Sequence, residues 1–106
     1  MKPTTIIDKI LTAVNSGAAD KFLNLFTKDG EVDDWGLIYR GREEIKTWSD
    51  RELFGARARL TLRLADVHKG GACMIVHIGN AGFRGCSRFT ITLENCRIRY
   101  MKITPV

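Results

Sequence analysis

Two adjacent carboxylates, Asp33 and Asp34, follow Val32 in a chain of 106 residues. A carboxylate at the mouth of an apolar pocket can serve as a general base or as a polar anchor for a ligand. The competing use is structural: strand-end acids that pair with Arg40 or Arg42. His77 lies in the apolar run from Cys73 to Ile78. Turned toward a pocket, it could join Asp34 as an acid/base dyad, with its proton affinity set by burial and by that neighbour. A hydrogen-bonded structural histidine is the commoner outcome. Cys73, Cys86 and Cys96 show no CxxC spacing and read as buried free thiols on strands. Cys73 and His77 share a strand face, but four strand residues span about 13 Å, too far for two ligands of one metal. Phosphate-loop, HExxH, nucleophile-elbow and dinucleotide motifs do not occur. Neither a metal nor a cofactor is expected.

The elements that must position these groups form one domain over residues 1–106, and the mean composition is that of an ordinary soluble protein. No stretch approaches the roughly 20 apolar residues of a membrane span. The N-terminal segment carries Asp8 and Lys9 inside its apolar pattern, unlike a signal peptide, so a cytoplasmic location is expected. The net charge of +5 is unevenly spread. Residues 1–52 hold 8 basic and 10 acidic side chains, whereas residues 53–106 hold 9 basic and 2 acidic ones.

Helices are expected over about residues 4–53 and strands over about 56–104. Ile6, Ile7, Ile10, Leu11 and Val14 make one helical stripe, capped by Thr4 or Thr5 and closed by Gly17 in a left-handed position. A second helix starts near Ala18 and turns Phe22, Leu23, Leu25 and Phe26 inward. Lys28-Asp29-Gly30 signals a turn, Glu31 to Tyr39 reads as extended, and Arg42 to about Leu53 reads as a third helix. From residue 56 the period becomes two. Lys69-Gly70-Gly71 signals a hairpin, Gly79-Asn80-Ala81-Gly82 a bend or hairpin, and Glu94-Asn95 a further turn.

With Glu94 and Asn95 as loop residues, Phe89 pairs with Tyr100 and Ser87 with Lys102. Ser87, Phe89, Ile91, Ile98 and Tyr100 then share the concave face. Arg59, Arg63, Arg88, Arg97 and Arg99 fall on the outer face with several threonines. That surface fits a dimer interface, an anion or nucleic-acid site, or a plain solvated sheet. Base stacking is disfavoured there because few aromatics interleave the arginines. Trp35, Tyr39, Trp48, Ser87, Phe89 and Tyr100 are the candidate pocket lining, with plain core as the alternative for the aromatics.

The order helix–Asn15-Ser16-Gly17–helix, Phe22-Leu23-Asn24-Leu25-Phe26, Asp29 to Asp34, then Tyr39-Arg40-Gly41 before a helix with Ile45 and Trp48, resembles the nuclear transport factor 2-like superfamily. It looks most like the SnoaL-like and ketosteroid-isomerase-like branch. The resemblance implies an α+β fold in which a cone-shaped, curved antiparallel sheet wraps N-terminal helices, also known as a cystatin-like roll. It implies an interior pocket, with Trp48 facing it, and frequent homodimers. It places Asp34 at the position of the isomerase base. That mechanism also needs a Tyr and a protonated Asp as oxyanion donors. The matching positions here hold Ile10 and Ser87. Loss of one such donor typically costs about 10²–10³ in rate, which argues against steroid isomerisation by that route.

The expected function is therefore binding of a small apolar molecule in the interior pocket, with isomerase- or cyclase-type chemistry on Asp34 as its catalytic extension. The alternative is a non-catalytic dimerisation or protein-interaction domain with a filled interior. A homodimer through the outer sheet face is the expected partner.

Overall fold

A computed structural model of the chain describes residues 3–79 and 84–106. The order of elements is α1 (Pro3–Asn15), α2 (Ala19–Leu23), β1 (Phe26–Asp34), β2 (Leu37–Arg40), α3 (Gly41–Ser49), a wide helical turn (Asp50–Phe54), β3 (Arg59–His68), β4 (Gly71–Gly79), β5 (Arg84–Glu94) and β6 (Arg97–Pro105). The fold is α+β, with N-terminal helices against a six-stranded sheet in the order β2-β1-β6-β5-β4-β3. Neighbouring strands pair antiparallel except β1 and β6, which are parallel, so the sheet is mixed.

The apolar stripe of α1 does what its spacing predicts. Ile6, Ile7, Ile10, Ala13 and Val14 are buried in the core. Gly17 has φ +73° and closes the helix, with Ala18 N–H donating to the Ala13 carbonyl and Gly17 N–H to that of Val14. Those two bonds satisfy carbonyls that the helix end leaves free, and the left-handed position suits glycine. Asn15 then ties α1 to β3: its amide donates to the Leu60 carbonyl and accepts from the Leu60 N–H.

Two departures from regular pairing decide which side chains face inward. In β3 the register shifts between Leu62 and Leu64, so Leu60 and Leu62 lie opposite Ile78 and Val76, while Leu64 lies opposite Ile75 on the outer face. A bulge inserts one residue, here Arg63, and reverses the alternation beyond it. Leu64 is accordingly 58 % exposed, off the inner face where unbroken alternation from Leu60 would put it. In the β5–β6 hairpin the loop residues are Asn95 and Cys96, both at positive φ, and Glu94 pairs with Arg97. The turn is thus one residue later than Glu94-Asn95. Arg99 is the extra residue of a second shift, after which Thr92 pairs with Tyr100 and Phe89 with Ile103.

The corrected register puts Ile98, Met101 and Ile103 in the core and Tyr100 and Lys102 on the outer face. The concave face is completed by Val32, Ala72, Met74, Val76, Phe89 and Ile91, packed against Phe22, Phe26, Ile45 and Trp48. The expected bend at Gly79-Asn80-Ala81-Gly82 falls largely on residues 80–83, outside the described residues.

Candidate functional site

The site forms where β1 ends. Asp34, Ile103 and Phe89 occupy one row across β1, β6 and β5, so Asp34 belongs to the concave face. The chain then reverses through Trp35 and Gly36 into β2, with Asp34 opposite Leu37. Trp35 and Gly36 have φ +54° and +91°, the sign pattern of a mirror-image two-residue hairpin turn. Asp33 holds the turn: its Oδ1 accepts from the Gly36 N–H at 2.8 Å. Trp35 N–H donates to the Ile103 carbonyl at 3.1 Å. These bonds hold a bulky residue in a backbone region that L-residues disfavour.

The α3 helix supplies the opposing wall. Ile45, Trp48 and Ser49 are its buried positions. Trp48 packs on Phe22 and Tyr39, with ring centroids 6.3 and 6.1 Å away. Its Nε1–H donates to Asp34 Oδ2 at 2.9 Å. Among the described residues no other group hydrogen-bonds the Asp34 carboxylate. After α3 the helix widens, with Gly55 N–H donating to the Asp50 carbonyl. This wide turn brings Glu52 and Leu53 to the same wall. Such turns inside helices are frequent beside functional sites.

Between these walls lies an open cavity of about 410 Å³. Its lining is mainly apolar and aromatic, from Trp35, Leu37, Trp48, Leu53, Ile78, Phe89 and Ile103, with Asp34, Glu52 and Ser87 as the polar positions. A few hundred Å³ with few polar groups is the usual form of a small-molecule site. Ser87 is 2 % exposed and lies on the cavity wall. Trp35 is 59 % exposed and stands at the rim.

The structure therefore brings together Asp34, Trp35, Trp48, Ser87 and Phe89 of the residues singled out in the sequence. Tyr39 stands behind Trp48 and accepts from the Arg51 guanidinium through its hydroxyl at 3.0 Å. Two expectations need correction. His77 pairs with Thr61 and Cys86 on the outer face, beside Arg59 and Arg84, so it forms no dyad with Asp34. Tyr100 is also on the outer face, where its hydroxyl donates to Asp33 Oδ2 at 3.2 Å. Burial and that neighbouring carboxylate raise the Tyr100 pKa above the ordinary phenol value. Leu37, Glu52, Leu53, Ile78 and Ile103 line the cavity without having been singled out for it. Ile78 and Ile103 follow from strand alternation once the register is right; Leu37 and Glu52 depend on the hairpin and the wide turn.

The outer arginines have different neighbours. Arg97 donates to the Asn24 carbonyl at the end of α2. Arg99 lies among Asp29, Glu31 and Glu94. Arg59 sits by His77 and Arg84, Arg63 is the bulge residue of β3, and Arg88 pairs opposite Ile75. Cys86 and Cys96 are exposed and Cys73 is partly buried, not the buried thiols expected. Among the described residues no group of three or more His, Cys, Asp or Glu could hold a metal.

Solved structures share this architecture along nearly the whole chain. A nuclear transport factor 2-like protein of unknown function from Cytophaga hutchinsonii superposes with TM-score 0.85 at 10 % identity, covering 98 % of this chain and 89 % of that one. The chain has the nuclear transport factor 2-like fold. A candidate polyketide cyclase from Sinorhizobium meliloti has TM-score 0.86 and 19 % identity over 94 % of both chains. A Mycobacterium tuberculosis protein, solved in complex with estradiol-17β-hemisuccinate, has TM-score 0.86 and 16 % identity, covering 97 % of this chain and 93 % of that one. No protein-family model and no curated protein matches the sequence. Among the described residues no helix is long and apolar enough to cross a membrane.

Proposed function

We propose that this chain is a SnoaL-like, ketosteroid-isomerase-like member of the superfamily that binds a small, largely apolar molecule in the cavity, with Asp34 as its polar anchor. The observation that carries the reading is the pairing of Trp48 Nε1–H with Asp34 Oδ2 at the wall of an open, mainly apolar cavity. The indole fixes one carboxylate oxygen and leaves the other for a ligand. Bound steroid in the mycobacterial structure of the same fold supports a ligand of this kind.

Asp34 is also the group that could take a proton from a bound carbonyl compound, in isomerase- or cyclase-type chemistry. Ile10 is buried in the core and offers no oxyanion donor, so Ser87 is the one hydroxyl at hand for developing charge. Such catalysis would be weak beside a site with two donors.

Calorimetric titration with neutral 1-naphthalenemethanol tests the binding reading. The wild-type protein should bind it, and Ile78→Trp, which fills the cavity from β4, should not. Equal binding by both proteins would move the ligand elsewhere.

We also propose a homodimer through the outer sheet face. Leu64 and Ile75 make an apolar centre there, flanked by Arg88 and Thr104. Sedimentation of wild type and Leu64→Lys tests it: a dimer should become a monomer, and a monomeric wild type would end the proposal.

A further inference from the structure

The sign of the charge inside the cavity runs against that of the protein. The chain carries +5 overall, yet among the described residues the cavity lining holds Asp34 and Glu52 and not one Lys, Arg or His. Residues 80–83 are Asn, Ala, Gly and Phe, and bring no charge by sequence. Glu52 is partly answered at the rim, where Arg51 Nε lies 3.3 Å from its Oε1. Among the described residues Asp34 has only the neutral indole of Trp48, which compensates its charge through a hydrogen bond and supplies no counter-charge.

A further feature points to a ligand at this place. Both tryptophans of the chain line the cavity. Indole faces attract cations through their quadrupole, and more strongly when water is partly excluded. An anionic ligand here would face a carboxylate with no cation beside it, and a neutral one would leave that charge unanswered.

We infer that the ligand is an apolar cation: an amine whose hydrocarbon body fills the Phe89–Ile103–Ile78 wall and whose ammonium meets Asp34. This rests on the reading of the cavity as a ligand site and adds the ligand's charge. The ammonium can donate to the Asp34 oxygen that the Trp48 indole does not hold. Trp35 at the rim covers the cation, and Glu52 adds a second, weaker attraction. The charge of the whole protein would by itself favour an anion, so a preference for a cation reports the cavity and not the bulk.

Three ligands of one skeleton test it: 1-naphthalenemethylamine, 1-naphthalenemethanol and 1-naphthoate, titrated by calorimetry at pH 7. The amine should bind about tenfold tighter than the alcohol, and the carboxylate weakest, the range a partly exposed ion pair supports. Asp34→Asn should bring the amine down to the affinity that the alcohol shows on the same variant. Glu52→Gln, on the exposed rim, should narrow the amine's advantage severalfold without touching the core. Equal affinities, or naphthoate binding tightest, would overturn the inference and leave the cavity a ligand site. Failure of all three to bind would remove the cavity reading as well. An amine advantage that survives in Asp34→Asn would overturn the role given to Asp34.

Discussion

Trp48 on α3 donates its indole N–H to Asp34 at the end of β1, across 2.9 Å. The bond joins the helix layer to the sheet at the mouth of the cavity. It also fixes which carboxylate oxygen remains free. Trp48 is itself fully buried among Phe22, Tyr39 and the sheet.

Truncating that donor should be costly. Trp48→Phe removes both the hydrogen bond and part of a buried ring, for a loss of about 2–4 kcal/mol in urea unfolding. Asp34→Asn keeps an oxygen acceptor for the indole and should cost about 1 kcal/mol or less. A larger loss for Asp34→Asn than for Trp48→Phe would contradict the assigned bond.

The rim tryptophan should trade stability against binding. Trp35 holds φ +54° in a two-residue turn where Asn is favoured. Trp35→Asn should therefore raise stability by about 0.5–1.5 kcal/mol, the scale of left-handed strain. The same change should weaken ligand binding severalfold, read by calorimetry. A variant that is both less stable and unaltered in binding would show that Trp35 is neither strained in the turn nor part of the rim.

Much of this was legible in the residues. The α1 stripe, Gly17, the Trp48 position and Asp34 at the pocket all follow from spacing or from the superfamily resemblance. Tyr100 and His77 were harder, for a physical reason. In a strand each inserted residue reverses the faces. The bulges at Arg63 and Arg99, and a turn placed one residue later, each move the residues beyond them to the other face. No local signal in Leu62-Arg63-Leu64 or Ile98-Arg99-Tyr100 announces them. The parallel pairing of β1 with β6 joins segments far apart in sequence, again beyond local pattern.

Asn15 is a small side chain with a structural task. Its amide closes two hydrogen bonds with Leu60, at 2.9 Å from its nitrogen and 2.7 Å to its oxygen. Asn15→Ala should cost about 1–3 kcal/mol in urea unfolding, because a strand N–H and carbonyl both lose their partner. Asn15→Asp keeps only the acceptor and should fall between the two. A neutral alanine variant would show that water replaces the amide.

Alkaline pH should find Tyr100. Its folded pKa is raised, by burial first and by the hydrogen bond to Asp33 next. An acid whose folded value lies above its unfolded one, about 10 for tyrosine, adds stability that is complete below that pH. The contribution is lost as pH climbs through the raised folded value. Tyr100→Phe should flatten the alkaline decline in melting temperature, while changing little at pH 7 beyond the lost hydrogen bond. An unchanged decline would place the alkaline sensitivity elsewhere.

The central claim is that a ligand sits between the two tryptophans and Asp34. A ¹⁵N–¹H spectrum reads it directly, because the chain has 2 tryptophans and both line the cavity. Titration with 1-naphthalenemethylamine should shift both indole N–H resonances together, saturating at one ligand per chain, and Ile78→Trp should abolish the shifts. Binding detected by calorimetry with both wild-type indole resonances unmoved would contradict the account.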